Sequence, residues 1–151
     1  MRPMFVIGRA LFGGFFAYNG INHFQHTEHM TQYASFKGVP RPDQAVRATG
    51  ALLLAGGLSV MAGVKPRQGL AAIVAFLIPV SLQMHRFWDE SDPQKRQNES
   101  IHFMKNMALA GAALALMQVS EPWPASIDAA RAADEEMYIR LGGRDFRSLP
   151  A

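Results

Sequence analysis

Charge is missing from four long stretches of this chain and crowded between them, and that segregation constrains the fold more than any motif does. Met4 to Phe24 holds one interior full charge, Arg9, and Ala45 to Val64 holds Arg47 near its start and none afterwards. Gly69 to Trp88 is uncharged until Arg86, and Ile101 to Val119 carries Lys105 one turn in. A hydrocarbon core of about 30 Å needs about 20 predominantly apolar helical residues to cross it. Each stretch has that length, and none alternates as a strand does. A soluble bundle would need a polar face on every helix, and Ala51 through Val64 and Leu70 through Leu82 offer almost none. A secretory signal suits the basic start at Arg2, but not the polar Tyr18-Asn19-Gly20-Ile21-Asn22-His23 run beyond it. The sequence therefore predicts an all-α integral membrane protein, a four-helix antiparallel bundle with both termini on one side.

Composition removes several chemistries. Hydrophobic residues make up 49% of the 151 residues and charged ones only 18%, below the roughly 25% usual in soluble domains. With no cysteine, disulfides, thiolate metal sites, CxxC redox motifs and a cysteine nucleophile are excluded. The net charge of +3 is scattered in ones and twos, which is no footprint for nucleic acid. Lys and Arg at helix ends suit lipid headgroups.

The connections divide the chain into a four-span domain, residues 1–120, and a polar tail, 121–151. Val64-Lys65-Pro66-Arg67 reads as a tight helical hairpin, whereas Gln25 to Gln44 is a long connection broken at Gly38-Val39-Pro40-Arg41-Pro42. Asp89 to Ser100 is charged at nearly every other position. Trp123, in Glu121-Pro122-Trp123-Pro124, is expected as an interfacial anchor. Residues 126–141 read as a short amphipathic helix, with Ile127, Ala130, Met137 and Leu141 on one side, lying on the membrane surface or on a partner. Gly and Ala inside the spans, including the Ala10/Gly14 and Ala108/Ala112 pairs, allow close helix approach. Pro79 should kink the third span, with a neighbouring helix or Ser81 satisfying the freed carbonyl. The weak Lys/Arg asymmetry leans towards cytoplasmic long loops.

Four antiparallel spans bring one set of polar residues together. His23, His26, His29, His85 and His102 all fall at one membrane face, with Tyr18, Asn19, Asn22, Asp89, Lys105 and Asn106. Asn19/His23 and His102/Asn106 are i,i+4 pairs, and Ser81, His85 and Asp89 form a stripe on a continuous helix. Three readings stay open. These residues cap helices and bond between them; or they hold a quinone headgroup; or neutral imidazoles bind haem or a metal. For a quinone, His23, His85, His102 and Asn106 are the polar contacts and Lys105 is the charge favouring a reduced oxygen. Asp89 would orient His85, and Phe24, Phe87, Trp88 and Phe103 would wall the ring. For a metal, the candidates are His85, His102 and His23, since His23, His26 and His29 diverge around a regular helix and cannot all reach one ion. Arg9, at the opposite face, either snorkels to the interface beside Gln118 or Glu121, or meets an anion.

Several segments resemble the DoxX family of small four-helix membrane proteins. Gly8-Arg9-Ala10-Leu11-Phe12-Gly13 with Gly20-Ile21-Asn22-His23-Phe24 resembles the family's first helix. Lys37-Gly38-Val39-Pro40 running on to Gly50 and Ala55-Gly56-Gly57-Leu58 resembles its second. His85-Arg86-Phe87-Trp88 and Phe103-Met104-Lys105-Asn106-Met107-Ala108-Leu109 resemble its third and fourth. The likeness spans about residues 5–118. It departs at Leu53 or Leu54, where many relatives carry a glutamate, so chemistry needing that carboxylate is not implied. The resemblance implies a multi-pass protein of a bacterial cytoplasmic membrane, with the lipid bilayer and either partner subunits or further copies of itself as neighbours. Some relatives are subunits of thiosulfate:quinone oxidoreductases, and others accompany superoxide dismutase and sulfurtransferase in membrane complexes. The expectation is thus an accessory or quinone-interacting subunit of an oxidoreductase complex. The alternative is a non-catalytic assembly protein or a carrier for a small molecule or metal. No nucleophile–base pair points to independent catalysis.

Overall fold

Two glycines on each of two helices let the backbones of those helices approach closely. A computed structural model describes residues 3–140, so Arg2 and Leu141, invoked above, lie outside it. Helix α1 spans Pro3–Gln25 and α3 spans Pro42–Ala62. Gly13 and Gly20 of α1 meet Gly57 and Gly50 of α3, two turns apart on both helices. A Cβ built on Gly57 would stand 2.3 Å from the Ala17 nitrogen, and one on Gly20 would stand 2.5 Å from the Leu54 nitrogen. Ala10/Gly14 and Ala108/Ala112 do not form this seam. Nothing but the Met61 sulfur, at 3.8 Å, lies near a Cβ on Gly14, and Ala108 and Ala112 are exposed.

The hairpin from α3 to α4 (Pro66–Met84) is as tight as its sequence implies. Gly63 takes a left-handed φ of 67°, Val64 N donates to the Ser59 carbonyl at 3.0 Å, and Pro66 opens α4, where no N–H is needed. Ser59 Oγ donates to the Val64 carbonyl at 2.6 Å and closes the turn. Helix α4 runs through Pro79. The expected role of Ser81 is not what forms. Its hydroxyl donates to the Leu77 carbonyl at 2.6 Å, while Pro79, lacking an N–H, has none to give the Ala75 carbonyl.

The long first connection contains a further helix, α2 (Thr27–Phe36), packed against α3. After α4 a short 3-10 turn, Phe87–Asp89, leads to α5 (Pro93–Leu116), capped where Asp92 Oδ1 accepts from Lys95 N at 2.8 Å. Among the described residues, three helical stretches are long and apolar enough to cross a membrane: Pro3–Gln25, Pro42–Ala62 and Pro66–Asp89. Helix α5, which holds the fourth expected span, starts eight residues earlier than that span and is polar through its first half. It packs on α4 and brings Ala110 and Ala113 to a core of Phe16, Leu53, Val60, Leu70, Ile73 and Leu77.

Trp123 belongs to the same core. It is fully buried and meets Phe5 edge-on at 5.2 Å, so it is not an anchor in the interface. Arg9 is 5% exposed and donates through Nη2 to the Ala125 carbonyl, rather than meeting Gln118 or Glu121. Trp123 and Ser126 are therefore buried against the helices that precede them. Beyond them α6 (Ile127–Arg140) has no buried residue, and Ile127 and Met137 of its apolar side are exposed.

Candidate functional site

Helices α3 and α4 are clamped at the hairpin, where a Cβ on Gly56 would stand 3.0 Å from the Gly69 carbonyl oxygen. Towards their other ends a cavity of about 850 Å³ lies between them, with α2 along its side. Its walls are apolar: Ala45, Val46 and Leu52 of α3, Ala75, Phe76, Pro79 and Val80 of α4, Met30 and Ala34 of α2. At one end the lining turns polar, with His23, His29, Tyr33, Gln83 and His85. Ala75, Pro79 and Leu82 are both lining and exposed, so the cavity opens sideways, towards the medium around the spans. A second cavity of about 160 Å³ lies between α1, α4 and α5, lined by Asn19, His85, Lys105 and Asn106 among others. His85, Phe76 and Val80 border both.

Of the site residues expected from the sequence, His23 and His85 line the large cavity, while His85, Lys105 and Asn106 line the small one. His102 stacks on His85, centroids 5.1 Å apart and planes 19° apart, with its Nδ1 3.4 Å from Lys105 Nζ. Asp89 is elsewhere. The stripe requires a helix continuing to residue 89, but α4 ends at Met84 and the chain turns, so Asp89 pairs with Arg86 at 2.6 Å. Glu99 of α5 holds His85 instead, with Oε2 2.7 Å from Nδ1. The other Glu99 oxygen, Oε1, accepts from Lys37 Nζ at 2.7 Å, and the Lys37 carbonyl accepts from Gln83 Nε2 at 2.9 Å.

One carboxylate thus joins α5, the end of α4 and the loop that follows α2. Burial favours a neutral Glu99, but the hydrogen bonds from Lys37 and His85 outweigh it and hold the carboxyl below its ordinary range. Burial likewise works against charge on Lys37, and its bond to Glu99 overcomes that, leaving the ammonium above its ordinary range.

The aromatic walls also differ from expectation. Phe87, Trp88 and Phe103 pack on one another at 5.1–5.7 Å. Neither they nor Phe24 line either of these two cavities, and Phe76 stands there instead, 6.0 Å from the His23 ring. Sequence reasoning missed Phe76, Tyr33, Gln83 and Glu99. The signal for Glu99 was its place one turn before His102, which puts the two on one face of a helix. Among the described residues no three His, Asp or Glu side chains converge in a metal-binding group. The nearest arrangement, His85 over His102, has each Nδ1 already engaged by another side chain.

The sequence matches the DoxX family over residues 4–86. The chain belongs to the DoxX family. All residues lining the large cavity, from His23 to His85, fall inside the DoxX match. Glu99, His102, Lys105 and Asn106 fall outside it. No curated protein and no solved structure matches the sequence.

Proposed function

We propose that this DoxX protein binds a lipid-soluble quinone in the large cavity and serves as an accessory or quinone-interacting subunit of a bacterial inner-membrane oxidoreductase complex. One observation carries the reading: an apolar, laterally open cavity of about 850 Å³ ends at three imidazoles, those of His23 in α1, His29 in α2 and His85 at the end of α4. That volume is in the range of sites that enclose a small organic ligand, and apolar walls with a few convergent polar groups are their usual lining. The ring and tail of a quinone suit the wall of Phe76, Val80 and Leu52, and its oxygens suit His23 and His85. His102 and Lys105 support His85 from behind, and Asn106 faces the smaller cavity beside it.

The chain inserts as four spans, with α5 crossing beside α4, where its Ala110 and Ala113 join the core. The exposed α6 is left for partner subunits or a second copy. Labelling of single cysteines is clean in a chain that has none, and positions 26 and 91 are expected to react from the same side.

The function itself is tested by purifying the full chain in mild detergent and extracting bound quinone. Near-stoichiometric quinone is expected in the wild type, and His85→Gln should lose most of it while keeping its helical content and a cooperative unfolding transition. Wild-type protein carrying no more quinone than empty micelles refutes the proposal.

A further inference from the structure

Two histidines of the large cavity are held by partners that have no hydrogen to give. His23 Nδ1 lies 2.8 Å from the Asn19 carbonyl oxygen, and His85 Nδ1 lies 2.7 Å from Glu99 Oε2. A carbonyl oxygen and an ionised carboxylate only accept. The Lys37 ammonium, 2.7 Å from the other carboxylate oxygen, keeps Glu99 in its ionised, accepting form. The proton of each neutral imidazole therefore sits on Nδ1, and Nε2 is left with a lone pair.

Other hydrogens at this end are partly engaged. The Thr49 hydroxyl donates to the Ala45 carbonyl at 2.7 Å, and one of the two Gln83 amide hydrogens goes to the Lys37 carbonyl. Tyr33 and His29, on the exposed side, can play either role. The inner polar end of the cavity is thus rich in acceptors.

We infer that the site selects the reduced form of its ligand, a lipid-soluble hydroquinone or related phenol whose hydroxyl donates to the Nε2 of His23 or His85. The inference rests on the large cavity being the quinone site proposed above. A quinone carbonyl has only lone pairs, so against the same nitrogens it meets acceptor with acceptor. Sites built to pair a substrate hydroxyl reject the analogue that lacks the hydrogen far more strongly than apolar pockets reject a missing methylene. Glu99 acts here as a positioning residue: it fixes which nitrogen of His85 carries the proton, and does so from α5, outside the cavity lining.

The test is equilibrium dialysis of the full chain in detergent at pH 8, where an imidazole is ordinarily neutral. The probes are a short-tailed benzoquinone and the same molecule kept reduced with dithionite, a reductant with no disulfide to attack in a chain without cysteine. The wild type should bind the reduced probe at least tenfold more tightly. In Glu99→Gln the amide can donate to Nδ1 and free the other tautomer, so the preference should fall at least threefold. At pH 8 a carboxyl is ordinarily ionised even without a neighbouring ammonium, so Lys37→Met, which leaves the Glu99–His85 bond, should keep the preference even if both affinities drop.

A merely structural role for Glu99 would weaken both forms alike and leave the ratio unchanged, which overturns its assignment. Equal binding of the two forms by the wild type, or tighter binding of the oxidised one, overturns the inference and leaves the quinone site standing. Binding of neither form overturns both.

Discussion

Gly57→Ala adds one methyl group at the seam between α1 and α3, and the surroundings of that methyl fix the outcome. The new Cβ would stand 2.3 Å from the Ala17 nitrogen, 2.5 Å from the Gly13 carbonyl oxygen and 2.9 Å from the Ala17 Cα. All three are backbone atoms of a helix, so no side chain can swing aside. Relief to ordinary contact near 3.4–4 Å requires α1 and α3 to move about 1 Å apart along their length, which loosens the Gly20–Gly50 contact as well. Overpacking of this kind costs about 3 kcal/mol, and the better helix propensity of alanine returns about 1 kcal/mol. The net loss of about 2 kcal/mol corresponds to a fall of about 4–8 °C in the unfolding temperature for a chain of this size. Gly14→Ala is the internal control. Its Cβ meets only the Met61 sulfur, at 3.8 Å, so the same chemical change one residue from the seam should be neutral or slightly stabilising. Thermal unfolding of both variants in one detergent, followed by circular dichroism, reads the difference. If Gly57→Ala melts within 1 °C of wild type, or Gly14→Ala falls as far, close backbone approach is not what holds α1 to α3.

Trp123→Ala should cost about 3–5 kcal/mol, because a fully buried indole leaves a cavity against Phe5. Truncation after Glu121 should cost at least as much, measured as loss of the unfolding transition, whereas a tail outside the packed body would be dispensable. The carboxyl of Glu99 is held low in the folded protein, so its contribution is present at neutral pH and is lost as pH falls through that lowered value. The Lys37 contribution runs the other way and is lost as pH rises through its raised value. Glu99→Gln should flatten both limbs of a stability–pH curve and cost about 2 kcal/mol at pH 7, between the values of exposed and buried ion pairs.

The long helices were legible because their apolar runs are longer than anything but a helix core can use, and the breakers Gly63-Val64-Lys65-Pro66 are local signals. Helix α2 was not. Thr27–Phe36 is short and largely polar, and its apolar face, Met30, Tyr33 and Ala34, is small beside the long runs on either side. The gathering of His23, His85, Lys105 and Asn106 around two adjoining cavities followed from topology alone. The identity of the carboxylate at His85 did not, because helical spacing favoured Asp89 and the end of α4 at Met84 breaks that spacing. Glu99 lies in a run of charges that reads as solvated, and only the fold of α5 onto α4 turns it inward. Trp123 is a similar case, since an aromatic between two prolines beyond the last apolar run matches an interfacial anchor and a core residue equally well.

The bond between Arg9 and the Ala125 carbonyl joins residues 116 positions apart in the chain, and that separation has a consequence in time. A ribosome feeding this protein into a bilayer delivers the guanidinium with the first helix and its acceptor only after the last span. An arginine within a span is costly until it is partnered or reaches water, and until residues 121–126 are made Arg9 lacks the hydrogen bond it forms in the finished fold. A stalled or prematurely released chain would carry that unmet charge as a mark of incompleteness, legible to whatever surveys membrane proteins during their birth.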